Sequence, residues 1–160
     1  MGSDRLEAYR ITDFVIPMKI LSNPTIAKDI YEDGSHDIIP NVVDEYWVGI
    51  RQYDLTFACY RIHQMTSVMW QIHARVIPQY RKPYSRKASC LALKWCAENI
   101  KGIRTITCMV PKCHRDVMLF VRRIGFHFCG TIQDSYVKNQ LLVGTDIFSI
   151  NVDKIRKLEV

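Results

Sequence analysis

The sequence has no Cys-x-x-Cys pair, no internal repeat, no low-complexity tract and no linker rich in serine or glycine. The absent pair removes the usual ligand spacing of zinc-ribbon and thioredoxin-type sites. The absent linker leaves no seam at which to divide the chain. No apolar run reaches the roughly 18 residues that a membrane-crossing helix needs, and the opening Met1-Gly2-Ser3-Asp4-Arg5 lacks the apolar core of a secretory signal. The expectation is a soluble cytoplasmic protein whose six cysteines (59, 90, 96, 108, 113 and 129) are reduced thiols. Cys108, Cys113, His114, His127 and Cys129 form the nearest metal-like set, but without the usual zinc spacing, and most of the cysteines fall in apolar runs where a small buried thiol is ordinary. No metal is expected.

Acidic residues are scarce in one long stretch. Residues 75–123 carry twelve basic side chains with only Glu98 and Asp116 against them, while residues 1–54 carry ten acids and five bases, within an overall charge of +6. Such a block suits an anionic partner, whether a phosphorylated cofactor, nucleic acid or an acidic protein face; a solvated basic surface accounts for it equally well. With 160 residues, 48% of them hydrophobic and 24% charged, the chain is long and apolar enough to bury a core, and one domain over 1–160 is expected.

Asn23-Pro24 is an N-cap followed by proline at the first helical position, which predicts a short helix to about Tyr31. An acidic loop follows at Glu32–Asp37. Tyr46–Arg51 and Leu55–Ile62 read as strands around a Gln52–Asp54 turn, and the alternation in Trp70-Gln71-Ile72-His73-Ala74-Arg75-Val76 is that of a half-buried strand ending before Pro78. Leu91, Ala92, Trp95 and Cys96 recur at helical spacing behind Ser85 as candidate N-cap, with Gly102 beyond the end. Ile103–Val110 is a further strand. Val117, Phe120, Val121 and Ile124 mark a second helix closed by Gly125, and Phe126–Asp134 and Leu141–Ile150 form a final hairpin. This order predicts an α+β domain with a mixed sheet.

Val76-Ile77-Pro78-Gln79-Tyr80-Arg81 resembles the V-x-P-x-Y-R that ends the fourth strand of the GNAT (Gcn5-related N-acetyltransferase) superfamily. Arg123-Ile124-Gly125-Phe126 resembles its K-x-GF, and Gly130 follows where many members place a glycine. The resemblance covers residues 45–150. It implies a mostly antiparallel sheet flanked by helices, acetyl-CoA or another acyl-CoA as cosubstrate, and an amine-bearing small molecule or protein as acceptor. It also implies that the fourth and fifth strands splay to hold the pantetheine arm, with the diphosphate cradled by backbone N–H groups of a Q/R-x-x-G-x-G/A loop. The residues that fall to the cofactor are then Val76, Arg81, Lys82, Tyr84, Ser85, Arg86 and Lys87. Tyr84 and Arg86 stand at the two glycine positions and Pro83 removes a donor, so side-chain cations take the place of the usual cradle or the loop no longer binds CoA.

The family's acid and base positions are altered too. Trp70 stands where many members carry a glutamate base, Val121 where a tyrosine protonates the leaving thiolate, and His114 where an asparagine is frequent. His73 is the candidate substitute base and Tyr136 the candidate proton donor, although the first also reads as a polar residue of the outer sheet face and the second as turn packing. Ser89 and Cys90 read as lying at a helix start, where a thiolate is stabilised, but no base stands at a recognisable spacing. The acidic residues of Glu32–Asp37, with Asp44 and Glu45, fall where the family builds acceptor pockets and would suit a cationic amine. Two readings follow: an acyl-CoA-dependent N-acyltransferase, or a GNAT-fold binding or structural protein without catalysis. The ending Thr145–Ile150 also resembles GNAT-like proteins of tailed phages, which implies a virion location as the alternative. Nucleic-acid binding through the basic block has no motif behind it, and no membrane partner is expected.

Overall fold

The computed structural model describes residues 5–33 and 38–160. Its elements are β1 (Leu6–Arg10), α1 (Val15–Leu21), α2 (Pro24–Ile30), β2 (Tyr46–Gln52), β3 (Leu55–Gln64), β4 (Met69–Val76), α3 (Pro78–Asn99), β5 (Thr105–Pro111), α4 (Arg115–Ile124), β6 (His127–Lys138), β7 (Leu141–Asn151) and α5 (Val152–Arg156). Seven strands form one sheet in the order β1-β2-β3-β4-β5-β7-β6. Every neighbour pair is antiparallel except β4 and β5, which run parallel because α3 crosses between them. The expected mixed sheet flanked by helices is therefore present.

Alternation along the strands gives each face its own core. On β2 and β3, Val48, Ala58 and Tyr60 face the helices α3, α4 and α5, and join a cluster with Leu93, Cys96, Ile124 and Ile155. Trp47 and Cys59 point the other way and pack with Ile20, Leu21 and Ile26 of α1 and α2. A one-residue slip would exchange these faces, so the apolar pattern holds the register.

Local signals explain most element ends. The Asn23 side chain accepts hydrogen bonds from the N–H groups of Thr25 and Ile26 at 3.0 and 3.4 Å, starting α2 at Pro24 as predicted. Gly125 ends α4 with φ of 126°, a conformation that glycine alone adopts without strain. Asn139 and Gln140, with φ of 52° and 64°, turn β6 into β7 as a type I′ hairpin. Three expectations change. α1, β1 and α5 add to the predicted set, β6 runs on to Lys138 rather than ending at Asp134, and α3 begins at Pro78 rather than behind Ser85.

Candidate active site

The parallel ladder between β4 and β5 has only three rungs, Met69–Thr105, Trp70–Ile106 and Gln71–Thr107. Beyond Gln71 the strands part, because β5 continues its pairing with β7 while β4 stays with β3. The gap opens into a cavity of about 1090 Å³ walled by Ile72–Val76 on one side and Cys108–Pro111 on the other, with α2, α3, α4 and β6 around it. The N–H of Ile77 bonds the Phe57 carbonyl on β3, so by alternation the backbone groups of Ala74 and Val76 face the gap. Arginine side chains meet both carbonyls: Arg75 donates to that of Ala74 at 2.7 Å and Arg81 to that of Val76 at 3.1 Å.

The strand-to-helix junction departs most from expectation. α3 starts with Pro78 directly after β4 and runs through Pro83, so residues 81–86 are helical and form no loop. N–H groups inside a helix serve its own carbonyls, which leaves no backbone cradle at Tyr84 and Arg86. The side chains at this position are unequal. Val76, Arg81, Lys82, Ser85 and Arg86 line the cavity. Arg81 is also held to Asp29 of α2 at 2.8 Å, and Arg86 reaches the Glu159 carbonyl at 3.2 Å. Tyr84 turns away to pack with Phe57 and Tyr80, and Lys87 is exposed outside the cavity wall, so neither has the position expected of a cofactor ligand. Of the basic block, Arg75, Arg81, Lys82, Arg86 and Arg123 point to one cavity rather than forming an outer stripe.

The β4 wall is set by register. Cys59, Arg61 and His63 of β3 stand opposite Arg75, His73 and Gln71 of β4. The His63 and His73 rings stack with centroids 5.2 Å apart and Nε2 atoms at 3.1 Å. Arg61 binds Glu45 through two hydrogen bonds of 2.6 and 2.7 Å. Burial first, then Arg75, Arg61 and His63, lowers His73 to about 3. A primary ammonium group titrates near 10.4, so proton transfer to His73 would be uphill by about seven pH units, or roughly 10 kcal/mol. His73 lines the cavity, and at about 3 it is neutral near pH 7 and a weaker base than its ordinary pKa suggested.

Tyr136 of β6 lines the same cavity, edge-on to His114 at the start of α4 with ring centroids 6.4 Å apart. Burial, followed by Cys113 and Glu32, raises its phenol, which therefore stays protonated and able to donate. Trp70, at the position of the family glutamate, is turned into the core against Tyr46.

Other sequence candidates resolve differently. Ser89 and Cys90 lie in the middle of α3, not at its start. The Ser89 hydroxyl shares a buried 3.0 Å hydrogen bond with that of Tyr60, and burial raises the Cys90 thiol, so neither is an activated nucleophile. Residues 34–37 of the acidic loop lie outside the described residues. The Glu32 and Asp33 carboxylates accept from the N–H groups of Val137 and Gln140 at 2.8 and 2.7 Å, and Asp44 accepts from Asn41. These carboxylates anchor backbone and side chains of the β6–β7 hairpin and of the 41–44 turn. The candidate metal set is not gathered either, and among the described residues no three histidine, cysteine or carboxylate groups converge. Sequence reasoning missed Arg75 and Gln71 as wall residues, although the alternation of β4 already put both on the face of His73.

A parallel strand pair that separates after three rungs, with an α3 crossover and a cavity in the opening, defines the GNAT acetyltransferase fold. Solved structures agree. The spermidine N-acetyltransferase of Vibrio cholerae in complex with CoA and spermine matches with a TM-score of 0.78 at 11% identity, covering 97% of this chain and all of that one. A point mutant of the same enzyme matches at 0.77 and 10% identity, over 97% and 98% of the two chains. The chain belongs to the family described as protein of unknown function DUF2824, whose model matches residues 15–158. No curated protein matches the sequence. Among the described residues no helix is long and apolar enough to cross a membrane.

Proposed function

We propose that the chain is an acyl-CoA-dependent N-acyltransferase in which side chains replace the usual diphosphate loop. The observation that carries this reading is the separation of β4 and β5 beyond Gln71–Thr107, which opens a strand edge onto the cavity. A pantetheine arm, with its two amides, is the kind of extended chain that a strand edge opening onto a cavity binds. Lys82 and Arg86 are the exposed cations at the start of α3 that suit the phosphates. The acceptor amine attacks as the neutral species; Tyr136, on the cavity lining, gives its phenol proton to the departing thiolate and takes up the proton that the amine nitrogen sheds as the amide forms. Most of the acceleration then comes from holding thioester and amine together. The bound CoA and spermine of the Vibrio enzyme support both the cosubstrate class and an amine acceptor.

A second reading, ligand binding without turnover, is favoured by the helical start of α3 at Pro78 and the weak basicity of His73. It includes the phage structural role suggested by sequence resemblance. Calorimetric titration with acetyl-CoA and desulfo-CoA, followed by thiol-release assays over a panel of amines, separates the two. Binding with release supports acyltransfer; binding without release for any amine supports the second reading. No heat with a folded protein at about millimolar ligand, equivalent to roughly 4 kcal/mol of binding, rejects the acyltransferase.

A further inference from the structure

Arg75 is the feature of the cavity that the proposed chemistry leaves without a task. Its Nε is shut off from solvent and has no hydrogen-bond partner, while its guanidinium reaches over the strand edge to the Ala74 carbonyl at 2.7 Å. The groups that weigh on its charge are Cys59, Tyr31, Arg61 and Tyr136, with no carboxylate among the described residues. The acids on the α2 side are engaged elsewhere, Glu45 with Arg61, Asp29 with Arg81, Glu32 and Asp33 with the β6–β7 hairpin, and Asp116 of α4, which also lines the cavity, is not among the groups that weigh on Arg75. A buried guanidinium donor is costly to leave unpaired. Its natural partner is a carboxylate or phosphate, which accepts from two guanidinium nitrogens side by side.

We propose that Arg75 binds an anionic group, carboxylate or phosphate, carried by the acceptor molecule on the α2 side of the cavity. The inference rests on the acyltransferase reading for the word acceptor; the anion site itself rests on Arg75 alone. It sets this chain apart from a polyamine acetyltransferase, since a polycation would meet an uncompensated arginine. Gln71 and the neutral His73, on the same face of β4, can hydrogen-bond the remaining oxygens or the amine.

The test follows the Arg75 Nε–Hε resonance of the wild-type protein by NMR while succinate, inorganic phosphate, spermidine or desulfo-CoA is added. Succinate or phosphate is expected to move it saturably below about 10 mM, and spermidine not at all. Arg75→Gln is expected to weaken the anion about tenfold or more, with Arg75→Lys between the two, since one charge-assisted bidentate contact is lost. A resonance that no anion moves overturns the proposal, as does one moved only by spermidine. If desulfo-CoA alone moves it, or displaces succinate competitively, Arg75 serves the CoA phosphates and the acceptor assignment falls. Equal anion binding in Arg75→Gln means an adventitious ion only. If succinate saturates Arg75 while desulfo-CoA gives no heat, the anion site stands and the acyltransferase reading alone fails.

Discussion

The state of His73 decides how the amine is deprotonated, and it can be read from stability. In the folded protein His73 lies at about 3, against 6.5 for an ordinary imidazole. Above pH 6.5 both folded and unfolded states carry it neutral, and it adds no pH dependence. Below that value the unfolded chain takes up a proton that the folded chain refuses, so stability is lost at about 1.4 kcal/mol per pH unit until the folded pKa is reached. At pH 5 the loss from this one residue is about 2 kcal/mol. Urea unfolding at pH 7 and pH 5, followed by fluorescence of the buried Trp47 and Trp70, measures it. With a urea slope of about 2 kcal/mol per molar, the wild-type midpoint falls by about 1 M more than that of His73→Gln. The comparison uses the change with pH, so any fixed cost of the substitution cancels. Equal falls in both proteins, or an NMR titration of His73 with its midpoint near 6.5, would refute the burial and charge argument and return His73 to the role of base.

Three further outcomes are expected. With an amine acceptor, log kcat/KM should rise about one unit per pH unit from neutrality towards the pKa of the amine, because only the neutral amine reacts and no group on the enzyme is poised to strip it; a plateau near pH 7 would reveal an enzymic base. Lys82→Ala combined with Arg86→Ala should weaken desulfo-CoA about tenfold or more by calorimetry and make the residual binding less salt-dependent, with the thermal midpoint nearly unchanged because both side chains are exposed. Gly125→Ala should cost about 1–3 kcal/mol in urea unfolding, since φ is 126° and the new Cβ would stand 3.1 Å from Lys154 Cε.

Most strands and helices were legible because they rest on local periodicity. Trp70 to Val76 alternates in sequence and forms a strand, and Asn23-Pro24 and Gly125 begin and end helices where their backbone chemistry requires. The start of α3 was not legible for a specific reason. Pro83 reads as a helix breaker, yet here it withholds only the one bond to the Gln79 carbonyl, and both residues are exposed, so water can take the vacant acceptor. The long apolar face from Ala88 to Cys96 holds the rest of the helix against the sheet. β1 was missed because five residues give too little alternation. For the site, the sequence put His73 on β4 but left open whether it is a base or an outer-face residue, and it could not show that Arg61, His63 and Arg75 surround it. That follows from the β3–β4 register and from burial.

The same register gives the cavity its sign. Acidic residues are plentiful in the first third of the chain, and a sequence view counts them as available to an amine. In the fold each described one near the cavity is committed: Asp29 to Arg81, Glu32 and Asp33 to the turn that positions Tyr136, Glu45 to Arg61. Once those pairs form, the charge left on β4 itself is that of Arg75, with Lys82, Arg86, Asp116 and Arg123 on other parts of the lining. A second cation held about 5 Å from it would be opposed by roughly 3 kcal/mol at an effective dielectric of 20, more than a hundredfold in affinity, and an anion favoured in the same measure before its own desolvation. Ligand preference can therefore reverse between proteins that share this sheet and cavity, because it depends on which carboxylates the surrounding loops withdraw.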